Sequence, residues 1–90
     1  MITAAQLRAS RALLGLDQKA MAQLCDLSVP TIQRMEASNG VIRGNMGSLL
    51  KLMGGLQRAG IELIGEGAVS DAGSRGVRLR DSTGARASAN

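Results

Sequence analysis

The most constraining feature of this chain is a helix-start signal that occurs twice within a few residues. Leu16-Asp17 leads to Met21, and Leu27-Ser28 leads to Ile32. Each set is an apolar residue, a side chain able to cap a helix, and a second apolar residue four positions beyond the cap. The pattern predicts one helix from about Gln18 to Cys25, with Met21, Ala22 and Cys25 inward. A second runs from Val29 to about Ala37, with Ile32, Met35 and Glu36 inward. Only Asp26 and Leu27 remain between the first helix and the Ser28 cap, so the two must meet at a tight angle and find their core elsewhere in the chain.

The rest of the sequence supplies that core. Thr3 and Gln6 have capping-box spacing, with Ile2 and Leu7 as the accompanying staple. They predict a helix continued by Ala5, Leu7 or Arg8, Ala12 and Leu13 to Leu14, ending at Gly15. Pro30 falls in the first turn of its helix, where a missing amide costs nothing. Ser38-Asn39-Gly40 ends that helix, and Val41-Ile42-Arg43-Gly44 reads as a connecting loop. A fourth helix is expected from near Asn45 to Ala59-Gly60, with Met46, Leu49, Leu50, Met53 and Leu56 as its core stripe. Gly47, Gly54 and Gly55 weaken it by about 1 kcal/mol each relative to alanine, so it depends on packing.

Beyond Gly60 the period changes. Residues 61–65 and 76–80 read as strands that pair as a hairpin across residues 66–75. A two-stranded sheet has open edges and is marginal alone, which predicts pairing with its copy in a second subunit. Residues 81–90 show no periodicity and are expected to form a disordered tail. The expected organisation is a mainly α, compact four-helix helix-turn-helix domain over residues 1–60, a β dimerisation extension over 61–80, and the tail.

Composition narrows the function. The 90 residues contain no Phe, Tyr, Trp or His. That removes base-stacking platforms, imidazole bases and imidazole metal ligands. Nothing couples a nucleophile to a base or assembles a metal set, so no enzyme, catalytic residue, metal or cofactor is expected. The lone Cys25 allows no intrachain disulfide, and its plain reading is a small buried thiol. No apolar run reaches a membrane span, and Met1-Ile2-Thr3 does not open a signal peptide, so a cytoplasmic location, on the nucleoid when bound to DNA, is expected. The net charge of +4 suits a polyanionic partner. Residues 11–38, however, balance Arg11, Lys19 and Arg34 against Asp17, Asp26 and Glu36. Any DNA reading there must rest on geometry.

The stretch from Arg11 through Asp17-Gln18, Met21-Ala22, Asp26-Leu27-Ser28-Val29-Pro30-Thr31-Ile32-Gln33-Arg34-Met35 to Glu36 resembles the Xre or lambdoid phage-repressor helix-turn-helix family, and the likeness extends over residues 5–58. It implies that Gln18 bonds a DNA phosphate, with Lys19, Ser28 and Arg43 as further phosphate candidates. It implies base reading by Val29, Pro30, Thr31, Gln33 and Arg34. Arg34 is favoured because a guanidinium donates two parallel bonds to guanine O6 and N7. Val29 and Pro30 offer only apolar contact, and Pro30 serves equally as a helix starter. Arg11 and Glu36 match a structural ion pair between the first helix and the recognition helix, Arg11 also being within reach of a phosphate. Two departures stand out. Asp26 occupies a turn position usually held by Gly, and strands replace the usual fifth helix.

The resemblance thus implies a homodimeric regulator, most simply a repressor, that reads inverted half-sites of double-stranded DNA. Activation by touching polymerase remains open. The alternative on the same fold is a protein-interaction module, an anti-activator or an antitoxin bound to a toxin.

Overall fold

A computed structural model describes residues 2–65 and 76–80; the expected hairpin connection and tail lie outside the described residues. The chain is mainly helical: α1 (Ala4–Leu14), α2 (Gln18–Cys25), α3 (Val29–Glu36) and α4 (Met46–Arg58), followed by strands β1 (Ile61–Ile64) and β2 (Gly76–Leu79). The strands pair antiparallel, Ile61 opposite Leu79 and Ile64 opposite Gly76. Backbone pairing continues one step beyond the strands, where the Arg80 amide donates to the Gly60 carbonyl.

Each helix starts where its cap dictates. Thr3 and Gln6 form the reciprocal capping box: the Gln6 amide donates to Thr3 Oγ1 at 3.1 Å, and the Thr3 amide to Gln6 Oε1 at 2.9 Å. Asp17, Ser28 and Asn45 cap α2, α3 and α4 by accepting from the amides of Ala20, Thr31 and Ser48. Gly15 ends α1 in the left-handed region. Asp26 does the same for α2 with φ of 57°, so the unusual turn residue adopts the conformation that glycine would have supplied.

Ile2, Leu7, Met21, Ala22, Cys25, Ile32, Met35, Ile42, Leu49, Leu52, Leu56 and Ile61 share one buried core. Ile61 places β1 in that core, and Leu63 and Val77 pack against its margin. The sheet rests on α1 through β2 and on α4 through β1. Gln6 makes the link specific, because its Nε2 donates to the carbonyls of Ile64 and Gly76 at 3.2 and 2.8 Å. After α3 the chain returns to the N-terminus: Val41 bridges Thr3, and the Ile42 amide donates to the Ile2 carbonyl at 3.0 Å.

One expected helix face is corrected, and the buried face of another helix is partly polar. In α4, Met46 and Leu50 are 65% and 63% exposed, whereas Leu52, absent from the expected stripe, is fully buried. The helix is rotated because Gly55 lies against α2. A Cβ there would stand 2.6 Å from Cys25 Sγ and 3.1 Å from the Leu24 carbonyl oxygen. In α1, Ala5, Arg8, Ala12 and Leu13 face solvent, while Gln6 and Ser10 are buried beside Ala4 and Leu7. The buried polar atoms are satisfied, Ser10 Oγ donating to the Gln6 carbonyl at 2.7 Å, so the inward face is not an apolar stripe.

Candidate nucleic-acid interface

Helix α3 buries one side and offers the other. Ile32, Met35 and Glu36 are buried, whereas Ser28, Pro30, Gln33 and Arg34 are exposed and Thr31 is half-exposed. Val29, an expected base reader, has the same intermediate exposure as Thr31 and in addition packs against the core. Lys19 is exposed at the first turn of α2, and Gln18 beside it is half-buried. Arg43 is exposed in the loop after α3, next to Ile42, whose backbone is tied to Ile2. Among the described residues, side-chain bonds bring Gln18 to Gln33 and Ser28 to Thr31; none joins Lys19, Arg34 or Arg43 to these groups.

Behind this face lies the ion pair. Arg11 grips Glu36 with two bonds, Nε to Oε2 at 2.7 Å and Nη2 to Oε1 at 3.0 Å, and a third guanidinium nitrogen reaches the Leu16 carbonyl at 3.3 Å. The Glu36 side chain is only 5% exposed. Gln18 Nε2 adds a third donor to the carboxylate at 3.1 Å. Burial alone would raise the pKa of Glu36, but the bonds from Arg11 and Gln18, together with the charges of Arg11 and Arg8, outweigh it and hold the carboxyl below its ordinary range. The bond to Glu36 likewise holds Arg11 firmly protonated. The acidic side chain next to the exposed face is therefore neutralised and turned inward, so it does not repel an approaching anion.

Two local networks fix what the face can donate. Ser28 Oγ and Thr31 Oγ1 lie 2.8 Å apart and share one hydroxyl hydrogen, leaving the other free for an outside acceptor. Gln18 spends one of its two amide hydrogens on Glu36 and keeps one, while its Oε1 accepts from Gln33 Nε2 at 3.4 Å.

Sequence reasoning missed two positioning side chains. Arg8, named only as an alternative to Leu7 in continuing α1, reaches the Glu36 carbonyl at the C-terminal end of α3 at 2.5 Å. Gln6, read only as a cap, also carries the sheet. In both cases the partner is far away in sequence, and only the cap spacing of Gln6 was locally visible. Cys25 is buried between α2 and α4, and burial pushes its thiol up to about 11, opposed in part by the charge of Arg58. That is the behaviour of packing, not of a reactive thiol. No helix among the described residues is long and apolar enough to cross a membrane.

Compared with the profiles of known protein families and with curated proteins, the sequence matches none.

Proposed function

We propose that this chain is a sequence-specific, double-stranded-DNA-binding transcriptional regulator of the Xre or phage-repressor type, which inserts the exposed face of α3 into the major groove. One observation supports this above the others. A short helix, held on its inner side by Ile32, Met35 and the Arg11–Glu36 pair, presents Pro30, Gln33 and Arg34 outward, with no described residue covering them. A rigid helix with polar, hydrogen-bonding side chains on one free face suits a groove wide enough to admit a helix. Arg34 takes guanine; Gln18, Lys19, Ser28 and Arg43 take phosphates and set the register.

The regulator acts as a homodimer joined through residues 61–65 and 76–80, and it represses by occupying inverted half-sites. The two-stranded sheet supports this pairing. Ile64 and Leu79 are 44% and 48% exposed at its margin, and an open cavity of about 420 Å³ lies between α4 and β1, lined in part by Met53, Leu56, Ile61 and Leu63.

The test is selection from a random duplex library followed by competition binding. The expected result is a recovered site of two inverted half-sites, with Arg34→Ala relaxing one guanine position by about 1 to 3 kcal/mol of discrimination. If no duplex is enriched, or if Arg34→Ala leaves every base preference intact, the reading is overturned.

A further inference from the structure

Of the asparagines in the chain, only Asn39 is followed by glycine. The pair lies in the loop that leaves α3, and both residues are exposed. Backbone bonds hold this loop on either side of the Asn39–Gly40 peptide: the Ser38 amide donates to the Met35 carbonyl at 3.2 Å, and the Gly40 carbonyl accepts from the Ala4 amide at 2.9 Å. Among the described residues, nothing accepts from the Gly40 amide itself. The space around it is open as well, since a Cβ on Gly40 would meet no atom within 4 Å. Asn45 differs in each respect. Its side chain is engaged, Oδ1 accepting from the Ser48 amide at 2.7 Å, and the residue after it is Met46, the first of α4.

We propose that Asn39-Gly40 is a modification site, where the chain rearranges to aspartyl and isoaspartyl forms, and that the isoaspartyl form releases the tie between this loop and the N-terminus. The Gly40 nitrogen loses its proton to water and attacks Asn39 Cγ. The new C–N bond replaces the bond to the side-chain nitrogen, which takes up a proton and leaves as ammonia. Water then opens the resulting five-membered imide at either carbonyl. Opening at Cγ gives aspartate on a normal backbone, and opening at the α-carbonyl carbon routes the backbone through Cγ. Water is the sole co-reactant, and no group is oxidised or reduced. Glycine favours the attack because it brings no side chain to crowd the nitrogen.

The isoaspartyl link lengthens the backbone by one carbon just ahead of three joined contacts. These are the Gly40 carbonyl to the Ala4 amide, the Val41–Thr3 bridge, and the Ile42 amide to the Ile2 carbonyl at 3.0 Å. Ile42 is anchored in the core, so the added length falls on Gly40 and its bond to Ala4. The Ala4 amide belongs to the first turn of α1 and has no partner within the helix to replace the one it loses. Both products also place a carboxylate near the C-terminal end of α3, which the helix dipole disfavours. The proposal is independent of what α3 binds.

The experiment incubates the folded protein at neutral pH and follows it by peptide mass mapping, with enzymatic methylation of isoaspartyl carboxylates to count that product. The peptide holding Asn39 should gain about 1 Da as amide becomes acid. Asn45, in the same molecules, should convert at least about tenfold more slowly. Asn39→Ser should show no gain in that peptide. The isoaspartyl form is then separated and unfolded in urea. Its midpoint should lie about 0.5 to 1 M below that of the unmodified protein, with faster hydrogen exchange at the Ala4 amide. Asn39→Asp carries the charge without the added carbon and should lose less than half as much. The proposal is overturned if Asn39 converts no faster than Asn45, if the isoaspartyl form keeps the original midpoint and the protection of Ala4, or if Asn39→Asp reproduces the whole loss.

Discussion

Removing Arg11 from beneath α3 leaves a carboxylate with almost no access to water and one remaining side-chain donor. In Arg11→Met the alkyl packing is kept and the two bonds to Glu36 are lost. Breaking a buried pair from one side costs about 3 to 5 kcal/mol. The lower end applies here, because the Arg11 side chain is 27% exposed and water can follow it in. About 3 kcal/mol is a large share of the roughly 5 to 10 kcal/mol expected of a domain this size. At a urea slope of about 1 to 1.5 kcal/mol per M, the midpoint should fall by about 2 to 3 M. Far-UV circular dichroism is the assay, since the chain has no aromatic side chain to fluoresce.

The pH dependence separates this account from generic damage. In the wild type the folded pKa of Glu36 lies below its ordinary 4.5, so its contribution is complete above that value and is lost as pH falls through the folded pKa. In Arg11→Met, burial is left as the stronger influence and the folded pKa rises above the unfolded one. The penalty is then present at neutral pH and relieved as pH falls through the raised pKa. As pH falls through that raised value the variant should gain stability relative to wild type. The double change Arg11→Met with Glu36→Met should recover most of the loss, because an apolar pair carries no stranded charge. A cost under about 1 kcal/mol, with no reversal in the pH trend, would refute the reasoning.

Three further outcomes are expected. Gly55→Ala should destabilise by about 1 to 3 kcal/mol through its clash with Cys25 and the Leu24 carbonyl, while Gly54→Ala, whose nearest obstruction is the flexible end of Arg58, should stabilise by about 1 kcal/mol; urea titration of both variants checks the pair, and equal effects would contradict the packing described. Gln6→Glu keeps the capping acceptor but turns a carboxylate toward the Ile64 and Gly76 carbonyls, so hydrogen-exchange protection should drop first in residues 61–64 and 76–79; uniform loss across all four helices would argue against a specific tether. With its thiol raised to about 11 and buried, Cys25 should react with a disulfide reagent at pH 8 only as fast as the protein opens, and complete native-state labelling within seconds would show that it is accessible.

The caps made the helices legible. Thr3, Asp17 and Ser28 each act locally, on an amide three residues ahead, so their spacing carried the starts of α1, α2 and α3 without knowledge of the tertiary fold. The orientation of α4 was not legible, because apolar periodicity scores Met46 and Leu50 as inward and a glycine as empty, yet it is the absent side chain of Gly55 that lets α4 approach α2. The buried face of α1 was hidden for a related reason: Gln6 and Ser10 are polar, and only their completed hydrogen bonds make burial affordable. At the candidate interface the Arg11–Glu36 pairing expected from the family likeness is present. The direction imposed on Gln18 and Gln33 was not visible, since it depends on which atom of each amide faces a carboxylate many residues away.

The central claim is that the outer face of α3 meets duplex DNA. Titrating the ¹⁵N-labelled protein with the duplex it selects, and following each amide resonance, tests that claim most directly. Shifts concentrated at residues 28–34, with Gln18, Lys19 and Arg43 beside them, are the expected result. Shifts confined to the sheet and the far side of α4, with residues 28–34 unmoved, would contradict it.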